Sequence, residues 1–149
     1  WSQSVGQDSD LVLWATGAQA HAWQCSAEQR GSLATSVEGF VLIDACLRSV
    51  SHPNIFAVGD CAQWPTPLPK AGVYAVRMGP VLTHNLRAVL MQAPLNTYTP
   101  QRHFLSLLST ADGSAIASRG AFSWSGRWAW RWKDHIDRGF VRRFAATAQ

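Results

Sequence analysis

The chain has 149 residues, 47% of them hydrophobic and 15% charged, which is the size of one domain and too apolar for a disordered chain. No run of about 18 apolar residues occurs, so a membrane-spanning helix is not expected. The net charge of +4 is uneven, with seven basic residues from Arg119 onward against only Asp134 and Asp137, a balance that suits an acidic partner or an anionic membrane surface.

In chain order, Leu11-Val12-Leu13-Trp14-Ala15 reads as a buried strand closed by Thr16-Gly17. Residues 18–38 are polar and mixed, which predicts a loop with one short helical turn. Phe40–Ile43 reads as a strand and 44–53 as an irregular connection. Ile55-Phe56-Ala57-Val58 is short, rich in strand formers and preceded by Pro53, the pattern of a fully buried parallel strand. Gly59 then permits a close backbone approach, and Asp60 places a carboxylate beside it. Ligands of open α/β sheets bind at that end of a strand. A carboxylate is repelled by phosphate but accepts hydrogen bonds from sugar hydroxyls, so Gly59-Asp60 reads as a polyol-binding acid at a nucleotide site. Residues 64–69 hold three prolines and cannot be regular structure. A helix is predicted from about 70–72 to about 91, rich in Ala, Val, Leu and Arg, with Pro94 beyond it. Its unpaired N–H groups and macrodipole carry positive potential.

The composition changes from Thr97. Phe104–Leu108 and Ser114–Ala117 read as strands of a hairpin joined by Thr110-Ala111-Asp112-Gly113. After Gly126 a second helix begins. Trp128, Trp132, Ile136, Phe140 and Phe144 recur every four residues, with Arg127, Arg131, Arg138 and Arg142 to the other side and Asp134 spaced to pair Arg138. Gly139 weakens this helix by about 1 kcal/mol relative to alanine. Two readings stand for the stripe. It packs on the C-terminal sheet with the stems of Lys133 and Arg143 along it, or it lies on a membrane interface. No nucleic-acid motif supports a third.

Cys25, Cys46 and Cys61 are too far apart for a redox dithiol or a zinc knuckle, and read as small buried residues in a reducing compartment. The five histidines share no metal-ligand spacing, so no metal site is expected. No Gly-x-Gly-x-x-Gly stretch is present, so no dinucleotide pyrophosphate site is complete in this sequence and no catalytic residue is assigned to it.

Three segments resemble one family. Pro53-Asn-Ile-Phe-Ala-Val-Gly-Asp-Cys-Ala62 resembles the second FAD-binding motif of the pyridine nucleotide-disulfide oxidoreductases, flavoproteins with two dinucleotide-binding domains. Asp10–Gly17 resembles their Ala-Thr-Gly crossover, and Leu68-Pro-Lys-Ala-Gly-Val-Tyr-Ala-Val-Arg-Met-Gly79 the helix whose N-terminus faces the flavin. Val50 departs from the family, many members of which carry Thr there. The resemblance is nearest to NADH dehydrogenase-like members and to the reductase module fused to selenide, water dikinase. It implies an α/β fold, with 1–91 the closing segment of a doubly wound FAD/NAD(P)-binding domain and 92–149 a small α+β C-terminal domain. It implies FAD as cofactor, held in this segment by Ala15, Thr16, Gly17, Gly59, Asp60, Lys70, Ala71, Gly72 and Val73, with NAD(P)H as hydride donor and a quinone or other acceptor. With no initiator Met, the chain reads as the C-terminal part of a longer enzyme whose partner is the missing N-terminal half. Cytoplasmic residence follows, in solution or at the inner face of the membrane. The alternative is an isolated, non-catalytic dimerisation module, a homo-oligomer without flavin.

Overall fold

The computed structural model describes residues 10, 11 and 17–145. The strand expected at Leu11–Ala15, with Ala15 and Thr16, lies outside the described residues apart from Leu11. The chain forms two compact units, Trp1–Thr99 and Pro100–Gln149.

In the first unit the polar stretch forms two short helical turns, α1 (Ala22–Cys25) and α2 (Ala27–Arg30), where the composition predicts one. Gln24 explains the first of them. Its Oε1 accepts from the His21 backbone N–H at 3.0 Å, and its Nε2 donates to the Cys61 carbonyl at 3.3 Å. A fully buried glutamine is thereby satisfied at both ends, as burial requires. β1 (Val41–Leu42) pairs in parallel with β2 (Ala62–Gln63), Val41 beside Ala62 and Leu42 beside Gln63.

The parallel strand therefore lies after the Gly59-Asp60 turn, not before it. The segment predicted as a buried parallel strand, Ile55–Val58, is extended but pairs antiparallel with the stretch just preceding it. Arg48 faces Phe56, Ser49 N–H donates to Ile55 at 2.8 Å and Ala57 N–H donates to Leu47 at 3.1 Å. A short turn brings neighbouring segments together antiparallel at little entropic cost, whereas a parallel partner needs a long crossover. Ile55 is 38% exposed, so this segment is not enclosed on both sides. Leu47 stands in the preceding turn, between the antiparallel pair Ile43 and Ser49, at φ 66 with its side chain fully buried. Asp44 supports that left-handed residue by accepting from the Cys46 and Arg48 N–H groups at 2.8 and 3.0 Å.

α3 (Gly72–Leu90) matches the predicted helix. It runs through Pro80, a residue the sequence reading passed over. Proline removes one helical donor, and the helix is held instead by its packed stripe of Tyr74, Met78, Asn85 and Ala88 against a core that includes Phe40, Ile43 and Leu47. Val76, Leu86 and Leu90, within one arc of the same helix, are exposed.

The second unit is a three-stranded antiparallel sheet, β3 (Ser106–Ser109), β4 (Ala115–Arg119) and β5 (Phe122–Gly126), with α4 (Arg127–Ala145) across it. The predicted hairpin is β3–β4, and Gly113 takes the positive φ of its turn at 79. β5 is a third strand that the sequence reading missed, although Phe122-Ser-Trp-Ser alternates as a strand should. α4 seats Ala129 on Ala115 and Ala117, all three fully buried, with Leu105 and Leu107 at the margin. Asp134 accepts from Arg138 as its spacing predicts, at 2.8 and 2.9 Å. The helix covers the sheet, but through Ala129 and not through the full stripe. Trp128, Trp132, Ile136 and Phe140 stay about half-exposed. Three facing alanines let the backbones approach closely, and the bulky rings flank that contact.

Candidate functional site

Three short pieces of the first unit converge on one cleft. β2 and the 3-10 turn before it (Gly59–Cys61) contribute Gly59, Asp60, Ala62, Gln63 and Trp64. The proline-rich loop contributes Leu68, Pro69 and Lys70, and the start of α3 contributes Ala71, Tyr74 and Met78, with Ile43 at the base. The enclosed volume is about 20 Å³, against roughly 300–1,000 Å³ for a small-molecule pocket. The described residues thus form a shallow cleft, too small for a ligand of that size to be enclosed.

Gly59 has φ +68, and a Cβ built there would lie 3.0 Å from Ala75 Cβ on α3. The close approach that this glycine permits is to the first turn of α3, which sets the turn and the helix start side by side. Asp60 beyond it is exposed. Its carboxylate makes no hydrogen bond among the described residues, although its charge acts on the Lys70 amine.

Lys70 is the cleft's most constrained polar group. Nζ donates to the Ala62 carbonyl at 2.6 Å and lies 3.7 Å from the centroid of the Phe40 ring. One end of the loop is thereby tied to β2 and to the core, and the cation–π contact adds to the tie. Burial holds the Lys70 amine below its usual range, an effect partly opposed by the nearby carboxylates of Asp60 and Glu38. Glu38 is held below the usual carboxylate range by its own backbone N–H and the Ser36 hydroxyl, and the Lys70 charge adds to this. The folded chain thus binds the Lys70 proton less tightly than the unfolded chain. Its stability relative to a Lys70→Met variant should rise as pH climbs from the depressed value toward the unfolded 10.5. Urea unfolding of both proteins at rising alkaline pH, up to pH 10.5, measures this; a difference that is flat or falls with pH contradicts it.

α3 begins without a side-chain cap. Ala71 supplies none, and no acidic residue stands in the first turn. Its leading N–H groups, including those of Gly72 and Val73, are the unsatisfied donors of any helix start, and they carry the dipole's positive end. Trp64 stacks edge-on against the buried ring of Tyr98 at 5.4 Å, and burial pushes the Tyr98 hydroxyl up. This contact fixes the far end of the proline-rich loop.

Of the residues singled out in the sequence, Gly59, Asp60, Lys70 and Ala71 line the cleft, and Gly72 and Val73 follow in the first turn of α3. Gly17 is exposed at φ +110 and is not part of the lining. Phe40 and Gln24 were not singled out. Each acts through a tertiary contact, and neither carries a local signal. Cys25, Cys46 and Cys61 are free thiols, and none is buried as expected: Cys25 is exposed, and Cys46 and Cys61 are half-buried. Among the described residues no group of three or more His, Cys, Asp or Glu side chains is placed to hold a metal ion.

Residues 3–79 match the family described as pyridine nucleotide-disulphide oxidoreductase, and the chain belongs to that family. Among curated relatives it is 34% identical over 91 residues to ferroptosis suppressor protein 1 of Xenopus tropicalis, an alignment covering 61% of this chain and 23% of that protein. It is 38% identical over 66 residues to the mitochondrial sulfide:quinone oxidoreductase of Schizosaccharomyces pombe, covering 41% of this chain and 14% of that protein. The fold resembles the crystal structure of the sulfide:quinone oxidoreductase of Aquifex aeolicus, with TM-score 0.65 at 20% identity over 84% of this chain and 32% of that one. The chain spans under a quarter of the length of these two curated relatives.

Proposed function

We propose that this chain is the C-terminal part of an FAD-dependent NAD(P)H oxidoreductase that delivers electrons to a quinone or another acceptor. The observation that carries the reading is the cleft, where an unengaged carboxylate and an uncapped helix start stand side by side. The residues fit the ribityl and ring portions of a flavin. Asp60 would accept from the ribityl hydroxyls. The α3 start, with the N–H groups of Gly72 and Val73, would face the ring edge that becomes negative on reduction. Lys70, Phe40 and the Trp64–Tyr98 pair would keep that helix start in place. Bound FAD would supply the chemistry, accepting hydride from NAD(P)H and passing electrons on. Family membership supports the redox class, and the quinone in one relative's name agrees with the acceptor.

The small enclosed volume and the exposed Val76, Leu86 and Leu90 on α3 support a wall that the rest of a larger enzyme completes. The reading places that enzyme on the cytoplasmic side, where NAD(P)H is made. Its test is an acceptor assay on the flavin-loaded parent, expected to reduce a short-chain quinone with NAD(P)H and to leave a disulfide acceptor untouched. Loaded protein that reduces the disulfide and not the quinone rejects the reading.

A second reading has one observation behind it. The only parallel sheet among the described residues has two strands of two residues each, far below what stands alone in water. By itself the chain would then be a non-catalytic dimerisation module. The purified 149-residue chain is expected to be colourless and dimeric by light scattering. Monomers that hold stoichiometric flavin contradict that expectation.

A further inference from the structure

We infer that Gln24 is a positioning residue for Asp60, a role that rests on the flavin reading above: it clamps the turn that carries the carboxylate.

The first observation is how that turn is held. Asp60 sits inside the 3-10 turn Gly59–Cys61, and its carboxylate makes no hydrogen bond among the described residues. The backbone on either side of it is engaged. Before it, the Val58 carbonyl accepts from the Cys61 thiol at 3.2 Å. After it, three successive carbonyls are each held by a different segment. Cys61 accepts from Gln24 Nε2 at 3.3 Å, Ala62 from Lys70 Nζ at 2.6 Å and Gln63 from the Ile43 N–H at 3.2 Å. A backbone fixed on both sides of a free side chain preorganises that side chain for binding, since little freedom remains to be lost when a ligand arrives. Of the three carbonyl anchors, Gln24 acts nearest to Asp60, on the residue next to it.

The second observation is how Gln24 itself is held. Its amide is fully buried, a costly placement unless both ends are bonded. The His21 N–H donates to Oε1 at 3.0 Å, which leaves Nε2 directed at Cys61. Arg30 Nη1 donates to the Gln24 and Cys25 carbonyls at 3.3 and 3.5 Å. Beneath α1 lies Gly39, at φ +90, where a Cβ would come within 2.6 Å of Cys25 Sγ. This single helical turn is therefore fixed from three directions, and the one side chain it sends across to the Asp60 turn is Gln24. Methionine at this position keeps the volume and loses both hydrogen bonds.

Two measurements on Gln24→Met test the role. In the 149-residue chain, iodoacetamide labelling with peptide mass mapping reads the clamp without flavin. Cys61 should label several-fold faster in the variant as its turn opens locally, while Cys46 keeps its rate. In the chain joined to its upstream sequence, Gln24→Met should raise the Kd for FAD about three- to tenfold, the scale of reordering one loosened group. In an Asp60→Ala background the same substitution should change the Kd by less than about twofold, because nothing remains for Gln24 to position. Equal losses in both backgrounds would mark a general loss of structure and overturn the proposal. So would a Cys61 rate that stays unchanged, or one that rises together with that of Cys46. A joined protein that takes up no FAD rejects the flavin reading and the role of Gln24 together, whereas unchanged FAD affinity in the Gln24 variant rejects that role alone.

Discussion

Replacing Asn85 by leucine should cost the first unit about 2–4 kcal/mol, since several polar groups lose their partner at once. Asn85 is fully buried on α3. Its Nδ2 donates to the carbonyls of Cys46 and Asn96 at 2.8 and 2.9 Å, and its Oδ1 accepts from the Asn96 N–H at 2.8 Å. One amide thus ties the hairpin loop and the chain leaving α3 to the helix. Leucine has a similar volume, so the loss is polar and not a cavity. Each orphaned group costs about 1–3 kcal/mol when buried, and those nearer solvent cost less. Asn85→Asp keeps the acceptor but sets a buried carboxyl group against the Cys46 and Asn96 carbonyls, so it should cost at least as much. Urea unfolding measures both changes; a leucine variant within about 0.5 kcal/mol of the original would show that water replaces the amide without loss.

Asp60→Ala in the parent should weaken FAD binding by about 1.5–3 kcal/mol, the worth of a hydrogen bond to a charged group. That corresponds to roughly 10- to 150-fold in Kd. Asp60 is exposed, and its carboxylate makes no hydrogen bond among the described residues. The substitution therefore leaves the fold intact and isolates the ligand contact. Asp60→Leu should lose more, because it adds bulk where the backbone runs against α3. Fluorescence titration of the apoprotein measures the affinity. An unchanged Kd for the alanine variant would remove Asp60 from the site.

The elements legible in the sequence carry their signal locally. α3 shows in its composition and in the prolines on either side of it, the β3–β4 hairpin in Asp112-Gly113, and α4 in its four-residue spacing. Gly59-Asp60 and Lys70-Ala71 were legible as neighbours in one cleft because both mark the ends of elements, and such ends meet at one edge of an α/β sheet. Strand pairing was not legible. Ile55–Val58 has the composition of a buried parallel strand, yet its partner is set by the turn before it, and apolar content alone does not report that. Nor did spacing reveal that α4 would seat Ala129 instead of its rings. A helix approaches a sheet most closely where both surfaces are small, and that match depends on Ala115 and Ala117, which are distant in sequence. Phe40 beneath Lys70 and Gln24 against Cys61 are contacts of the same kind.

The central claim is that the cleft between the Gly59-Asp60 turn and the α3 start is one wall of a flavin site. The most direct measurement is the visible spectrum of the chain joined to its upstream sequence, taken beside that of the 149-residue chain alone. The account predicts one flavin per joined polypeptide, bleached by NAD(P)H under anaerobic conditions, and a colourless isolated chain. A folded joined protein that neither carries flavin nor takes it up when FAD is added would contradict it.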